Sequence, residues 1–222
     1  MAYAFDFSSV LEYREALLAG TVKTLGLTAV GAVCGLAIGI FGAVSRAWRL
    51  APFDRIFTVY VELIRNTPFL VQLFFIFFGL PSLGVQINEW QAAILAMVVN
   101  LGAYSTEIIR AGIEATPRGQ IEAAQSLAMS RAQLFRHVVL PPALLKVWPS
   151  LCSQVVIVML GSSVCSQIAA EELTFAANFI QSRNFRAFET YFIVTGIYFL
   201  LAIAVRQAMI QAGQRLIARR AR

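Results

Sequence analysis

The residues of this chain that could do chemistry are few and lie in two settings. Asn66, Thr67, Gln72, Asn100, Tyr104, Ser162 and Ser163 place neutral hydrogen-bonding groups inside long uncharged stretches. Such groups can hold a polar solute by hydrogen bonds; a nucleophile would need a base beside it, and none is visible. No GxxxxGK[ST] sequence is present to cradle a nucleotide phosphate. The single histidine, His137, has no acid or nucleophile arranged about it, and a surface or interface role is expected. Cys34, Cys152 and Cys165 follow no metal-site spacing and read as small packing residues. The second setting is Glu122 to Pro141, EAAQSLAMSRAQLFRHVVLP, a polar and basic stretch between apolar runs. Its backbone and its charges, Glu122, Arg131 and Arg136, cannot lie in lipid and need water or a protein partner.

The elements that must position these residues follow from composition. Of 222 residues, 59% are hydrophobic and 14% charged, far from the balance of a soluble domain. Positions 24–45, 66–88 and 147–170 carry no charge. Each run is long enough for a helix to cross a hydrocarbon core of roughly 30 Å at about 1.5 Å per residue. Two shorter runs, Trp90–Thr106 and Thr190–Val205, suffice if Glu107 and Arg206 snorkel to an interface. An all-α membrane protein with a single domain over 1–222 is therefore expected. Its spans are placed at about 24–45, 57–80, 90–109, 148–169 and 190–210, after an amphipathic segment 1–20 that would lie on the outer interface. The acids Asp6, Glu12 and Glu15 do not suit a cleavable signal, so the first span is expected to stay in the mature protein.

The net charge of +6 follows topology and not a nucleic-acid partner. With the N-terminus outside, 13 of the 18 basic residues fall on one face of the membrane, among them Arg46, Arg110, Arg131, Lys146, Arg206, Arg219, Arg220 and Arg222. That bias places the loop 110–146 and the C-terminus in the cytoplasm, with membrane lipid as a contact.

Within the spans the spacing is informative. Gly31, Gly35 and Gly39 form a smooth stripe for close helix packing within the subunit. Glu62 and Arg65 share a helical face and could pair, and Pro68 should kink or unwind the chain beside Asn66, Thr67 and Gln72. Asn100, Tyr104 and Glu107 lie on one stripe, with Glu107 set to pair with Arg110. In the polar loop, Pro117-Arg118-Gly119 breaks the third helix. A short helix over 120–129 is expected, with Ile121, Ala124, Leu127 and Ala128 on its apolar side. Ser130 is placed to cap a second, 131–139, ended by Pro141-Pro142.

These residues resemble the membrane-spanning subunit of a bacterial ABC importer. The family pattern appears as Glu122-Ala123-Ala124, Ala128 where glycine is usual, then Val138, Leu140 and Pro141 at the family spacing, with Gly119 just ahead. Gly20-Thr21, Thr24-Leu25, Arg65-Asn66-Thr67-Pro68, Val71-Gln72 and Tyr104 to Gly112 are similar to permeases for histidine, glutamine, arginine and glutamate. The resemblance implies the type I ABC importer permease fold in the bacterial inner membrane. It further implies two cytoplasmic ABC ATPase subunits docked on the 119–141 loop, a second permease subunit, and an extracytoplasmic amino-acid-binding protein. ATP would be bound by the partner and no cofactor by this chain, which would not itself be an enzyme. Glu122 and the Ala123-Ala124 surface would enter the ATPase groove, and Leu140-Pro141 would set the exit angle. The alternative is a stand-alone channel or secondary carrier for small polar solutes, which does not account for the elaborate loop.

Two departures carry expectations. Alanine at 128 would cost roughly 1–2 kcal/mol at positive φ, so Ala128 is expected to be helical with the turn at Ser130. Relatives often show an acid before Thr-Ser or Ser-Ser in the fourth span, whereas here Gly161 precedes Ser162-Ser163. Hydrogen bonding from Ser162, Ser163, Asn100 and Gln72 could still hold a zwitterion. Serines in membrane helices also often bond their own backbone.

Overall fold

The structure is a computed structural model describing residues 5–216. Arg219, Arg220 and Arg222, counted in the charge bias, lie outside the described residues. After a single turn, α1 (Ser8–Leu11), the chain enters α2 (Arg14–Ala47), so the first span and the last part of the expected amphipathic segment, 14–20, are one continuous helix. The remaining elements are α3 (Phe53–Arg65), α4 (Phe69–Ser82), α5 (Glu89–Glu114), α6 (Arg118–Ser126), a turn Arg131–Gln133 leading into α8 through a widened stretch, α8 (Leu140–Gly161), α9 (Leu173–Asn184) and α10 (Ala187–Leu216). We label the turn Arg131–Gln133 α7.

By length and apolarity, α2, α5, the run 131–168 and α10 can each cross a membrane. The second expected span, 57–80, is not one rod: α3 and α4 meet at a bend of 110°, and neither half is long enough to cross alone. The short helix α9 has no counterpart among the five expected spans. Glu172 caps it by accepting the Phe175 N–H at 2.8 Å.

The glycine stripe decides the central packing. A Cβ on Gly35 would lie 2.8 Å from Leu101, and one on Gly39 would lie 2.4 Å from the Ser105 Cβ. Real side-chain atoms do not approach that closely, so α2 and α5 cross backbone to backbone within one subunit, as expected from the spacing. Leu27, Leu73, Met97, Leu101 and Val155 fill one core around this crossing. A second core joins α9 and α10 to the start of α2 through Leu17, Leu173, Ile180 and Val194. A third, built on Ala43, Ile109, Ile113, Val139 and Val147, seats the polar segment on the helix ends.

The polar segment itself differs from expectation in three ways. First, Ala128 is not helical: its φ is +53°. α6 ends at Ser126, and the Ala128 N–H donates to the Gln125 carbonyl at 2.9 Å while the Met129 N–H donates to Ala124 at 3.2 Å. This is a Schellman cap, whose closing residue must be left-handed, so two recovered carbonyl bonds override the preference of alanine. Second, Leu127 is 77% exposed and Ala128 is exposed as well, because the helix has already ended before them. Third, Pro141-Pro142 does not stop the second helix. Ser130 caps Arg131 in a reciprocal box with Gln133, and the chain then stays helical into α8. Positions 134–139 are widened to i+5 bonding, with the Leu140 N–H reaching the Phe135 carbonyl. The widening makes room for two prolines that lack donors and crowd the preceding turn.

Candidate functional site

Two regions gather the polar residues. The first forms at the α3–α4 break. Pro68 has no N–H to give the Ile64 carbonyl, and its extended backbone (φ −64°, ψ 140°) opens the chain. Side chains repair the broken ladder. Asn66 Nδ2 donates to the Glu62 carbonyl at 2.8 Å, Thr67 Oγ1 to Leu63 at 2.8 Å, and Gln72 Nε2 to Ile64 at 2.7 Å. Gln72 Nε2 also reaches the Thr67 carbonyl and hydroxyl, both at 3.0 Å, while its Oε1 accepts from Asn100 Nδ2 at 3.0 Å. Gln72 is thus a staple holding a bend open against α5.

The bend borders a cavity of about 380 Å³ lined by Thr67, Pro68, Phe69, Asn100, Tyr104, Gln154, Ile157, Val158, Gly161 and Val164. Among the described residues, no charged side chain lines it. Its polar surface comes from Asn100, Tyr104, Gln154 and the first turn of α4, whose positive dipole end attracts an anionic group. Gly161 opens onto free space, with nothing within 4 Å of a Cβ built there. Of the residues expected along the path, Thr67, Asn100 and Tyr104 line this cavity, and Gln72 stands behind Asn100. Asn66 lies on an adjoining polar cavity. Ser162 and Ser163 line neither: their hydroxyls donate to the Met159 and Leu160 carbonyls, both at 2.7 Å. Gln154 was missed by sequence reasoning, although its place seven residues before Gly161 puts it on the same helical face.

Next to this cavity a chain of charges ties α2 to α5. Glu107 accepts from Arg46 and Arg110, and Arg110 also pairs with Glu114. The expected Glu107–Arg110 pair is therefore present within a larger network. The expected Glu62–Arg65 pair is not formed among the described residues. The Arg65 guanidinium instead stands 5.6 Å from the centre of the Tyr104 ring, a cation–π geometry.

The second region is the segment 118–139. Gly119, Glu122 and Ala123 are exposed on α6, whereas Ala124 is 4% exposed and faces inward. Ala124 therefore anchors the knob and does not belong to its outer surface. Val138, Leu140 and Pro141 are half-buried, and Phe135 packs edge-on against Trp48 with ring centres 4.6 Å apart. The knob is thus carried rigidly by the ends of α2, α5 and α8.

Comparison with known proteins agrees with this arrangement. Residues 35–220 match the family described as binding-protein-dependent transport system inner membrane component. The glutamine transport system permease protein GlnP of Escherichia coli is 32% identical over 203 residues, covering 90% of this chain and 93% of that protein. The L-cystine transport system permease protein TcyB of Bacillus subtilis is 36% identical over 168 residues, covering 76% and 72%. A crystal structure of an amino acid ABC transporter with histidines superposes with a TM-score of 0.87 at 36% identity, covering 96% of this chain and 100% of that one.

Proposed function

We propose, from the premise that this chain belongs to the family of binding-protein-dependent transport system inner membrane components, that it is the permease subunit of an ATP-driven importer of a polar amino acid. The observation that carries the reading is the uncharged cavity at the α3–α4 break, with Asn100, Tyr104 and Gln154 facing the positive end of α4. That helix end suits the substrate carboxylate, and the amide and phenol groups suit its ammonium and side chain. With Gly161 where relatives often hold an acid, the cavity favours an amino acid whose side chain is neutral.

The chain supplies no catalytic group; ATP is hydrolysed by two cytoplasmic ATPase subunits seated on the 118–139 knob. Gly119, Glu122, Ala123 and Leu127 form the docking face. Because the knob is one piece with α8, pushing it moves Gly161 and the cavity wall together. A second permease subunit completes the pore, and a binding protein delivers substrate from outside. The basic bias supports an outside N-terminus and a cytoplasmic C-terminus. Coupling is a population shift, in which ATP must favour one orientation by several kcal/mol to reverse its occupancy.

The test is purification of the complex from membranes followed by uptake in proteoliposomes. Glu122→Lys is expected to lose the ATPase while the permease still inserts, and Asn100→Ala to assemble but take up little substrate. An ATPase retained by Glu122→Lys would refute the docking face, and undiminished uptake by Asn100→Ala would refute the cavity.

A further inference from the structure

On the side of Tyr104 towards the knob lies a second cavity, of about 370 Å³, whose walls include Arg46, Glu62, Arg65, Asn66, Tyr104 and Glu107. Its charges are unequally employed. Arg46 and Glu107 are bonded to each other, and Glu107 is further held by Arg110. Glu62 and Arg65 are different. They lie three apart on α3, share the cavity and do not bond each other. Among the described residues, the Glu62 carboxylate has no hydrogen-bond or ion-pair partner, and Arg65 has only the face of Tyr104.

Both residues are exposed on the single subunit, so a carboxylate and a guanidinium stand open on the bent α3–α4 pair, where a passing solute or a partner can compensate them. The species that compensates both at once is the backbone of a free amino acid, whose ammonium matches Glu62 and whose carboxylate matches Arg65. Residues three apart on a helix have Cβ atoms about 5–6 Å apart, within reach of the two ends of one such zwitterion for side chains of this length. Tyr104 is the one lining residue that the two cavities share.

We propose that Glu62 and Arg65 form a second, zwitterion-binding site on the release side of Tyr104, which receives the amino acid from the uncharged cavity before it leaves. The proposal rests on the transport reading above. The uncharged cavity selects the side chain, and the charged one grips only the groups all amino acids share. Tyr104 acts as a positioning residue between them, its ring holding the Arg65 guanidinium towards the solute. A rival occupant is the second permease subunit, pairing with the same two charges across the pore.

The test uses the complete complex in proteoliposomes, with binding protein outside and ATP inside. Vesicles are preloaded with increasing concentrations of unlabelled amino-acid mixture, and initial uptake of the labelled mixture is measured. Internal amino acid should inhibit the wild type by occupying the release-side site. Glu62→Gln and Arg65→Gln should each raise the half-inhibitory internal concentration about tenfold, the loss of one charge-assisted contact, with the external KM unchanged. Arg65→Lys should stay near the wild type. Inhibition equal in wild type and both glutamine variants overturns the site, as does a wild type insensitive to internal amino acid. Dissociation of the complex in either variant assigns the charges to the subunit interface and also overturns it. A wild type that accumulates no labelled amino acid instead refutes the transport reading itself.

Discussion

Replacing Ala128 with glycine should tighten the knob that carries the docking face. Ala128 closes the α6 cap at φ +53°, where an L side chain costs roughly 1–2 kcal/mol. Glycine removes that cost but loses roughly 0.5–1 kcal/mol more backbone entropy on ordering. The difference is a gain between zero and about 1.5 kcal/mol, and a gain of about 1 kcal/mol is about fivefold in the local opening equilibrium. The assay is amide hydrogen exchange of the assembled protein, read at 128 and 129, whose N–H groups donate to Gln125 and Ala124 at 2.9 and 3.2 Å. Protection of both should rise towards fivefold in Ala128→Gly. It should fall in Ala128→Val, because a β-branched residue tolerates this conformation worst. Faster exchange in the glycine variant would show that residue 128 is helical and that the cap assignment is wrong.

Three further outcomes test other parts of the fold. Gly39→Ala should lower the thermal unfolding midpoint, because its Cβ would meet Ser105 at 2.4 Å and overpacking costs about 1–3 kcal/mol. Gly161→Ala, with nothing within 4 Å, should unfold like the wild type while narrowing the cavity and slowing uptake; equal midpoints for all three proteins would refute the packing argument. Between the spans, burial raises the Glu172 carboxyl above the ordinary glutamate range, outweighing the N–H and hydroxyl groups that favour its ionised form. The folded state therefore binds that proton more tightly than the unfolded chain. Its contribution is complete below the ordinary glutamate value and is lost as pH rises through the raised one. Unfolding midpoints should fall over that window in the wild type and stay flat in Glu172→Gln; parallel profiles would refute the assignment.

Much of this was legible in the residues. Uncharged runs marked the membrane elements because lipid admits no unpaid charge, and the period of Gly31, Gly35 and Gly39 named a close crossing before its partner was known. Ser130 announced its cap because a hydroxyl before a helix has few other uses. Pro68 announced a break, though not its 110° bend, since a missing donor says where a helix fails and not which way the chain then turns. The site was harder to read. Ser162 and Ser163 have the right chemistry but spend it on their own carbonyls, and Gln154 has the right position without any motif to mark it.

By itself the sequence determined the class of molecule, the placement of its long apolar helices and the existence of a polar knob, because these depend on runs and periods along one strand of chain. Only the tertiary structure decided which polar groups face a cavity, which brace the backbone, and that Glu62 and Arg65 ignore each other. It also decided Ala128, where two carbonyl bonds recovered at the end of α6 outweigh a residue's local preference. Those outcomes depend on energies between parts of the chain that local pattern does not contain.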